Sequence, residues 1–205
     1  MSNNLIHNVS SSKFWDERYI SNNTGWDIGN VTPVFKDWCD SLAEPSKIFV
    51  PGCGNGYDPL YFADQGHDVL AVDISEYPIN QIKKEAKKQN ITIKALKCDI
   101  FDLNKNLFNQ FDYVVEYTCF CAISPKKRDN YIDMMNKLLK AKGEFIALLF
   151  PLNKKTDDEG PPFHVNLRKT LNQFSSKFDL IKSFKHPLSI IPRQDNEIYV
   201  HLRKK

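Results

Sequence analysis

Three features of the 205-residue chain predict an α/β fold, an open and mostly parallel seven-stranded sheet with helices on both faces under an N-terminal helical cap. From Lys47 onward, short apolar runs alternate with amphipathic stretches, the pattern of βα units wound into a parallel sheet. Three of only eight glycines, Gly52, Gly54 and Gly56, fall together between the first such run and its helix. Two alternating runs near the C-terminus then add a terminal strand pair. The 41% hydrophobic and 26% charged content fits an ordinary globular chain and excludes disorder, collagen and membrane spanning. A net charge of +3 is too modest to demand a nucleic-acid partner.

Residues 1–45 form the expected cap and contain all three tryptophans, Trp15, Trp26 and Trp38; residues 46–205 form the core of one domain. Strands are predicted at Lys47–Val50, Asp68–Asp73, Ile91–Lys97, Phe111–Tyr117, Gly143–Phe150, Phe178–Phe184 and Glu197–Arg203. Between them, Ile79, Ile82 and Ala86 make one helical stripe, and Tyr131, Met134, Met135, Leu138 and Leu139 another. Lys83, Lys84, Lys87 and Lys88, and further on Lys126 and Lys127, lie off those stripes and read as solvated faces. A loop with Pro151, Asp157, Asp158, Gly160, Pro161 and Pro162 leads to a helix with Leu167, Leu171 and Phe174 at i, i+4 and i+7. The five cysteines are odd in number and have neither a CxxC pair nor zinc-site spacing, so reduced thiols, no metal and a cytoplasmic location are expected. The Asn/Ser-rich start lacks the apolar stretch of a signal peptide, and no membrane association is expected.

The turn Val50-Pro51-Gly52-Cys53-Gly54-Asn55-Gly56-Tyr57-Asp58 carries the chemistry. A glycine-rich turn between a strand and a helix lets a ligand approach backbone amides at the carboxyl edge of the sheet. A dinucleotide fingerprint needs G-x-G-x-x-G/A, but the sixth place from Gly52 is Tyr57. G-x-G-x-G is instead the pattern of class I S-adenosylmethionine-dependent methyltransferases, which disfavours an NAD-dependent dehydrogenase. Asp73 closes the second strand where a carboxylate can accept both ribose hydroxyls, and Asp99 with Ile100 follows the third strand where they can read an adenine edge. The five histidines, His7, His67, His164, His186 and His201, are scattered and form no catalytic constellation.

Several stretches in combination carry a family resemblance: Trp15-Asp16-Glu17-Arg18-Tyr19, Gly25-Trp26-Asp27-Ile28-Gly29, the glycine turn, Ala71-Val72-Asp73-Ile74-Ser75, Phe120-Cys121-Ala122-Ile123 and Gly160-Pro161-Pro162-Phe163. From about Phe14 to its end the chain resembles the thiopurine S-methyltransferase family, most nearly its halide/thiol methyltransferase branch. The resemblance implies a Rossmann-like class I fold that binds S-adenosyl-L-methionine and releases S-adenosyl-L-homocysteine. It implies that Trp15, Tyr19 and Trp26 cover the cofactor, with Gly52, Gly54, Asp73, Ile74, Asp99 and Ile100 in contact with it. Tyr117 matches a cofactor-contacting position that is tyrosine in the halide/thiol branch and arginine in the thiopurine branch, and is the expected catalytic residue, orienting a nucleophile by its hydroxyl. Trp26, Cys121 and Phe163 are expected in the substrate pocket, while Trp38 matches nothing and is assigned to the core. The motif's usual acidic residue two places before the first glycine is Val50 here, a departure shared with the family.

The expected reaction is methyl transfer to a small thiol, hydrosulfide or halide-type nucleophile by a monomeric enzyme. Arg168 and Arg193 are candidates to attract an anion, although a surface salt bridge is the commoner role for each. Alternatives are an aromatic thiol of thiopurine type, another small molecule, or a non-catalytic S-adenosylmethionine-binding protein. Gly160-Pro161-Pro162-Phe163 has glycine where amino-methylating enzymes carry an amide or carboxylate, which disfavours methylation of nucleic-acid bases.

Overall fold

The computed structural model describes residues 9–155 and 160–205. His7, and Asp157 and Asp158 of the expected loop, lie outside the described residues. Seven strands form one sheet: β1 (Lys47–Pro51), β2 (Asp68–Asp73), β3 (Lys94–Lys97), β4 (Phe111–Tyr117), β5 (Leu139–Leu149), β6 (Phe178–Phe184) and β7 (Ile198–Lys204), in the order β3-β2-β1-β4-β5-β7-β6. Strands β1 to β5 pair in parallel, and β7 runs antiparallel between β5 and β6. Strand order reverses between β1 and β4, the switch point outside which open α/β sheets bind ligands.

The helices are α1 (Ser12–Ile20), α2 (Pro33–Asp40), α3 (Tyr57–Asp64), α4 (Glu76–Gln89), α5 (Arg128–Leu138) and α6 (Leu167–Phe174). Successive strand residues point to opposite faces and so build two apolar layers. Phe49, Val72, Val114 and Phe145 face Tyr131 and Met135 of α5 and Phe174 of α6. Ile48, Val69, Val115 and Ile146 face Val34 and Phe35 of α2 and Phe62 of α3. A smaller cluster joins Leu60 and Ala71 to Ile79 and Ile82 of α4. Trp38 packs edge-on against Phe62 and Tyr113, a core position as expected. Within the expected cap segment, therefore, α2 is a layer helix of the sheet, and residues 9–32 are the part that overhangs its edge.

The strand limits expected for β2, β4 and β6 match those observed, and β3 and β5 differ for local reasons. Asn90 caps α4 in the left-handed region at φ 59°, and the Ile91 amide still donates to Ala86, so pairing begins only at Lys94. β5 starts at Leu139, directly after α5, because Leu139 pairs with Phe111 before the register shifts between Phe111 and Tyr113. After β3 the chain makes two 3-10 turns, Ile100–Asp102 and Lys105–Leu107, before entering β4. Asp99 and Asn104 each accept the amide two residues on and close these short turns. Among the described residues no helix is long and apolar enough to cross a membrane, and no cluster of three or more His, Cys, Asp or Glu could hold a metal.

Candidate active site

At the carboxyl edge of β1, β2 and β4 lies a cavity of about 390 Å³. Its floor begins with the glycine turn. Gly52 has φ +55° and an added Cβ would lie 2.7 Å from Cys119 Sγ, so side-chain replacement is blocked both by backbone conformation and by packing. The Gly54 amide donates to Asp73 Oδ2 at 3.0 Å, and the Ser75 amide donates to Asp73 Oδ1 at 2.9 Å. Asp73 is thereby fixed at the end of β2 with acceptor capacity remaining on both oxygens. Burial pushes its carboxyl up to about 6, against the opposing pull of the amides that donate to it. Tyr57, the residue that breaks the dinucleotide spacing, is the first residue of α3.

Ile74, Asp99, Ile100 and Phe101 continue the wall beyond Asp73. Asp99 is held by the Phe101 amide at 3.0 Å. Overhead, Trp15 and Tyr19 of α1 meet Trp26 edge-on at 5.5 Å and 5.6 Å, and all three line the cavity. The cap is tied down at two points: Asp16 of α1 accepts the Ser75 hydroxyl and the Glu76 amide, and Asp27 Oδ2 accepts Asn55 Nδ2 in the glycine turn. Tyr19 also stacks on Tyr77 of α4, and burial with the Asp73 charge raises its hydroxyl pKa.

The opposite wall is the turn after β4, where Thr118, Cys119, Cys121, Ala122, Ile123 and Ser124 line the cavity. Thr118 sits in the left-handed region at φ 60°, a conformation a β-branched residue adopts only when its surroundings impose it. Glu116 supplies that constraint: it is 1% exposed, and its Oε1 accepts the Phe120 amide at 2.8 Å. Burial raises the Glu116 carboxyl to about 7. Burial likewise raises Cys98 and Cys119, and lifts Cys121 to about 12, so the three cavity cysteines are neutral thiols near neutrality.

Of the residues expected at the site, Trp15, Tyr19, Trp26, Gly52, Asp73, Ile74, Asp99, Ile100 and Cys121 are brought together around one space. Gly54 acts one step behind it, through Asp73. Phe163 is not on the wall: its amide donates to the Cys121 carbonyl at 2.7 Å while Pro161 and Pro162 line the cavity. A Cβ on Gly160 would lie 2.4 Å from the Phe163 ring, which gives glycine at that place a packing reason. Tyr117 is not on the wall either. Its ring meets Phe35 of α2 edge-on at 5.8 Å, and its hydroxyl donates to Glu197 Oε2 at 2.8 Å.

Arg168 is exposed on α6 and does not line the cavity. Arg193 corrects the expectation of a surface salt bridge: it is 6% exposed, and its Nη2 donates to the Trp26 carbonyl at 2.7 Å. Sequence reasoning missed Glu116, Cys119 and the Glu197 cluster. The place of the β4 turn after a strand, like that of Asp99 after β3, was the available signal.

Residues 10–197 match the model of the family described as Thiopurine S-methyltransferase (TPMT). The chain belongs to this family. It is 32% identical over 208 residues to a probable thiol methyltransferase 2 of Arabidopsis thaliana, covering 96% of this chain and 88% of that one. Against a thiopurine S-methyltransferase of Bos taurus the identity is 27% over 183 residues, covering 79% and 74%. A solved 1,6-didemethyltoxoflavin-N1-methyltransferase from Burkholderia thailandensis, with bound S-adenosylhomocysteine, shares the fold at TM-score 0.75 and 19% identity, covering 95% and 87%. The protein is an S-adenosylmethionine-dependent methyltransferase of the Rossmann-like class I fold.

The residues present fit that cofactor. A buried carboxylate with free acceptor capacity stands at the end of β2, a second follows β3, and apolar walls from Ile74, Ile100 and Phe101 lie between them under an aromatic roof. Asp73 suits the ribose hydroxyls, Asp99 and Ile100 the adenine edge, and the Gly52 turn close backbone approach. Trp15, Tyr19 and Trp26 supply aromatic rings of the kind that attract a neighbouring cation.

Proposed function

We propose that this methyltransferase acts on a small soft nucleophile, a thiol, hydrosulfide or halide-type anion, by in-line displacement. The observation that carries the reading is what the cavity lacks: among the described residues no histidine lines it, and its only carboxylates are Asp73 and Asp99, both at the nucleoside end. An amine or alcohol needs a proton acceptor at the reacting end, whereas a halide has no proton to lose. A thiol of ordinary pKa ~8.5 already presents a few per cent thiolate near neutrality. The names of the relatives, a probable thiol methyltransferase and a thiopurine S-methyltransferase, support sulfur as the acceptor.

Bound S-adenosylmethionine supplies a methyl group already activated by its sulfonium charge. The chain's own task is positioning and the exclusion of water. Asp73 and Asp99 fix one end of the space, Gly52 admits close backbone approach, and Trp15, Tyr19 and Trp26 close it. Elevated pKa values keep Cys98, Cys119 and Cys121 protonated, so the chain's own thiols do not compete with the substrate.

Size favours the small acceptors over a bicyclic aromatic thiol. About 390 Å³ is near the lower end of the roughly 300–1,000 Å³ of ligand pockets, and the methyl donor must share it with the acceptor. Steady-state comparison of hydrosulfide, thiocyanate and iodide with 6-mercaptopurine tests this reading. The small acceptors are expected to have the higher kcat/KM; preference for the purine thiol would overturn the assignment.

A further inference from the structure

The strongest feature outside the cavity wall is a buried ionic cluster behind it. The guanidinium of Arg193 lies between two aromatic rings, 4.9 Å from the centroid of Tyr117 and 4.9 Å from that of Phe150. Phe150 lines the cavity, and so does Trp26, whose carbonyl accepts Arg193 Nη2. Tyr117 in turn donates to Glu197, which is wholly buried at the start of β7. Arg193 Nη1 and Glu197 Oε1 are buried without a protein partner among the described residues.

An ionic cluster of this kind is a poor source of stability, because desolvating two charges offsets their attraction and an apolar core of the same shape is often as stable. What it does supply is direction. A planar guanidinium held flat between two rings aims its remaining N–H bonds along fixed lines. One of those lines ends on the backbone of Trp26, 167 residues away in sequence. The segment that carries Arg193 is itself anchored to the chain after β5, where the Leu152 amide donates to Asn196 O at 2.9 Å and the Asn153 amide to Asn196 Oδ1 at 2.7 Å.

We propose that Arg193, oriented by Phe150 and by Tyr117, which Glu197 holds in turn, is a positioning residue that clamps the Trp26 segment of the cap over the cofactor cavity. Tyr117 then serves the reaction through Arg193. The clamp acts on the cofactor side of the site, so it is independent of which nucleophile is methylated.

The test reads binding of S-adenosylhomocysteine by calorimetry, exposure of the cap tryptophans to acrylamide, and thermal melting in the full chain. Arg193→Met keeps the volume and removes the N–H donor. It is expected to melt near the parent, to bind S-adenosylhomocysteine about tenfold more weakly or worse, as for loss of a charge-assisted hydrogen bond, and to show greater tryptophan quenching. Arg193→Lys is expected to recover only part of the affinity, since an ammonium cannot reproduce the flat, two-ring geometry. Tyr117→Phe, which removes only the hydroxyl, is expected to raise the cofactor KM more than it lowers kcat, and it carries the test alone if Arg193→Met does not fold. Unchanged affinity and quenching in Arg193→Met would overturn the proposal. So would a fall in kcat for Tyr117→Phe at unchanged S-adenosylhomocysteine affinity, which would place its hydroxyl on the nucleophile.

Discussion

Asp73 shows how one side chain serves both the fold and the site. It receives the Gly54 and Ser75 amides, which lock the glycine turn to the end of β2, and it faces the cavity. Its carboxyl titrates near 6 because burial disfavours the charge. Ribose hydroxyls donate to the ionised form, so affinity for S-adenosylhomocysteine is expected to rise between pH 5 and pH 7 and then level, as calorimetry across that range would read. Asp73→Asn should flatten the rise and weaken binding by roughly 1.5–3 kcal/mol, the value of a hydrogen bond to a charged group. Cys119 and Cys121 make the opposite point, since their burial keeps them neutral beside a methyl donor. Intact-mass analysis after prolonged incubation with S-adenosylmethionine alone should find no methylated protein.

Among the elements, the first turn and its helix are the most exacting. Gly56 caps α3 at φ +83°, and a Cβ there would lie 2.2 Å from Ile82 Cγ1 of α4. Gly66 has a similar φ of +90° with nothing within 4 Å. Denaturant unfolding should therefore show Gly66→Ala losing about 1 kcal/mol from backbone conformation alone, and Gly56→Ala losing roughly 1–3 kcal/mol more from overpacking. Periodicity made such elements legible: β2, β4, β6 and α6 sit where alternation and the i, i+4, i+7 stripe put them. The glycine spacing, with Asp73 and Asp99 at successive strand ends, pointed to residues that share one cavity, which Gly52, Asp73 and Asp99 line. Tyr117, expected to contact the cofactor, lies off the cavity wall because alternation along β4 turns it toward α2, and its hydroxyl found a buried acceptor 80 residues away in sequence. Local pattern carries no information about such long-range polar pairs, which is also why Arg193 read as a surface group.

For the molecule as a whole, the buried carboxyls of Asp73 and Glu116 and the half-buried one of Asp58 act together. Burial raises Asp58 and Asp73 from 3.8 to about 6 and Glu116 from 4.5 to about 7. A carboxyl with a raised native pKa binds its proton more tightly in the folded state, so its contribution is full below about pH 4 and is lost as pH rises through 6 to 7. These three groups should make the cofactor-free protein melt progressively lower from pH 5 to pH 8, and Glu116→Gln should flatten the upper part of that slope. The same architecture gathers residues from the cap and from the ends of the five parallel strands around one cavity, for which we propose methyl transfer to a small soft acceptor. The most direct measurement is a reaction of the protein with methyl-labelled S-adenosylmethionine and hydrosulfide or iodide, with headspace detection of the methylated product alongside S-adenosylhomocysteine. Equal amounts of labelled volatile product and S-adenosylhomocysteine are predicted. Tight S-adenosylhomocysteine binding with no volatile product from any thiol or halide in a broad panel would contradict the account.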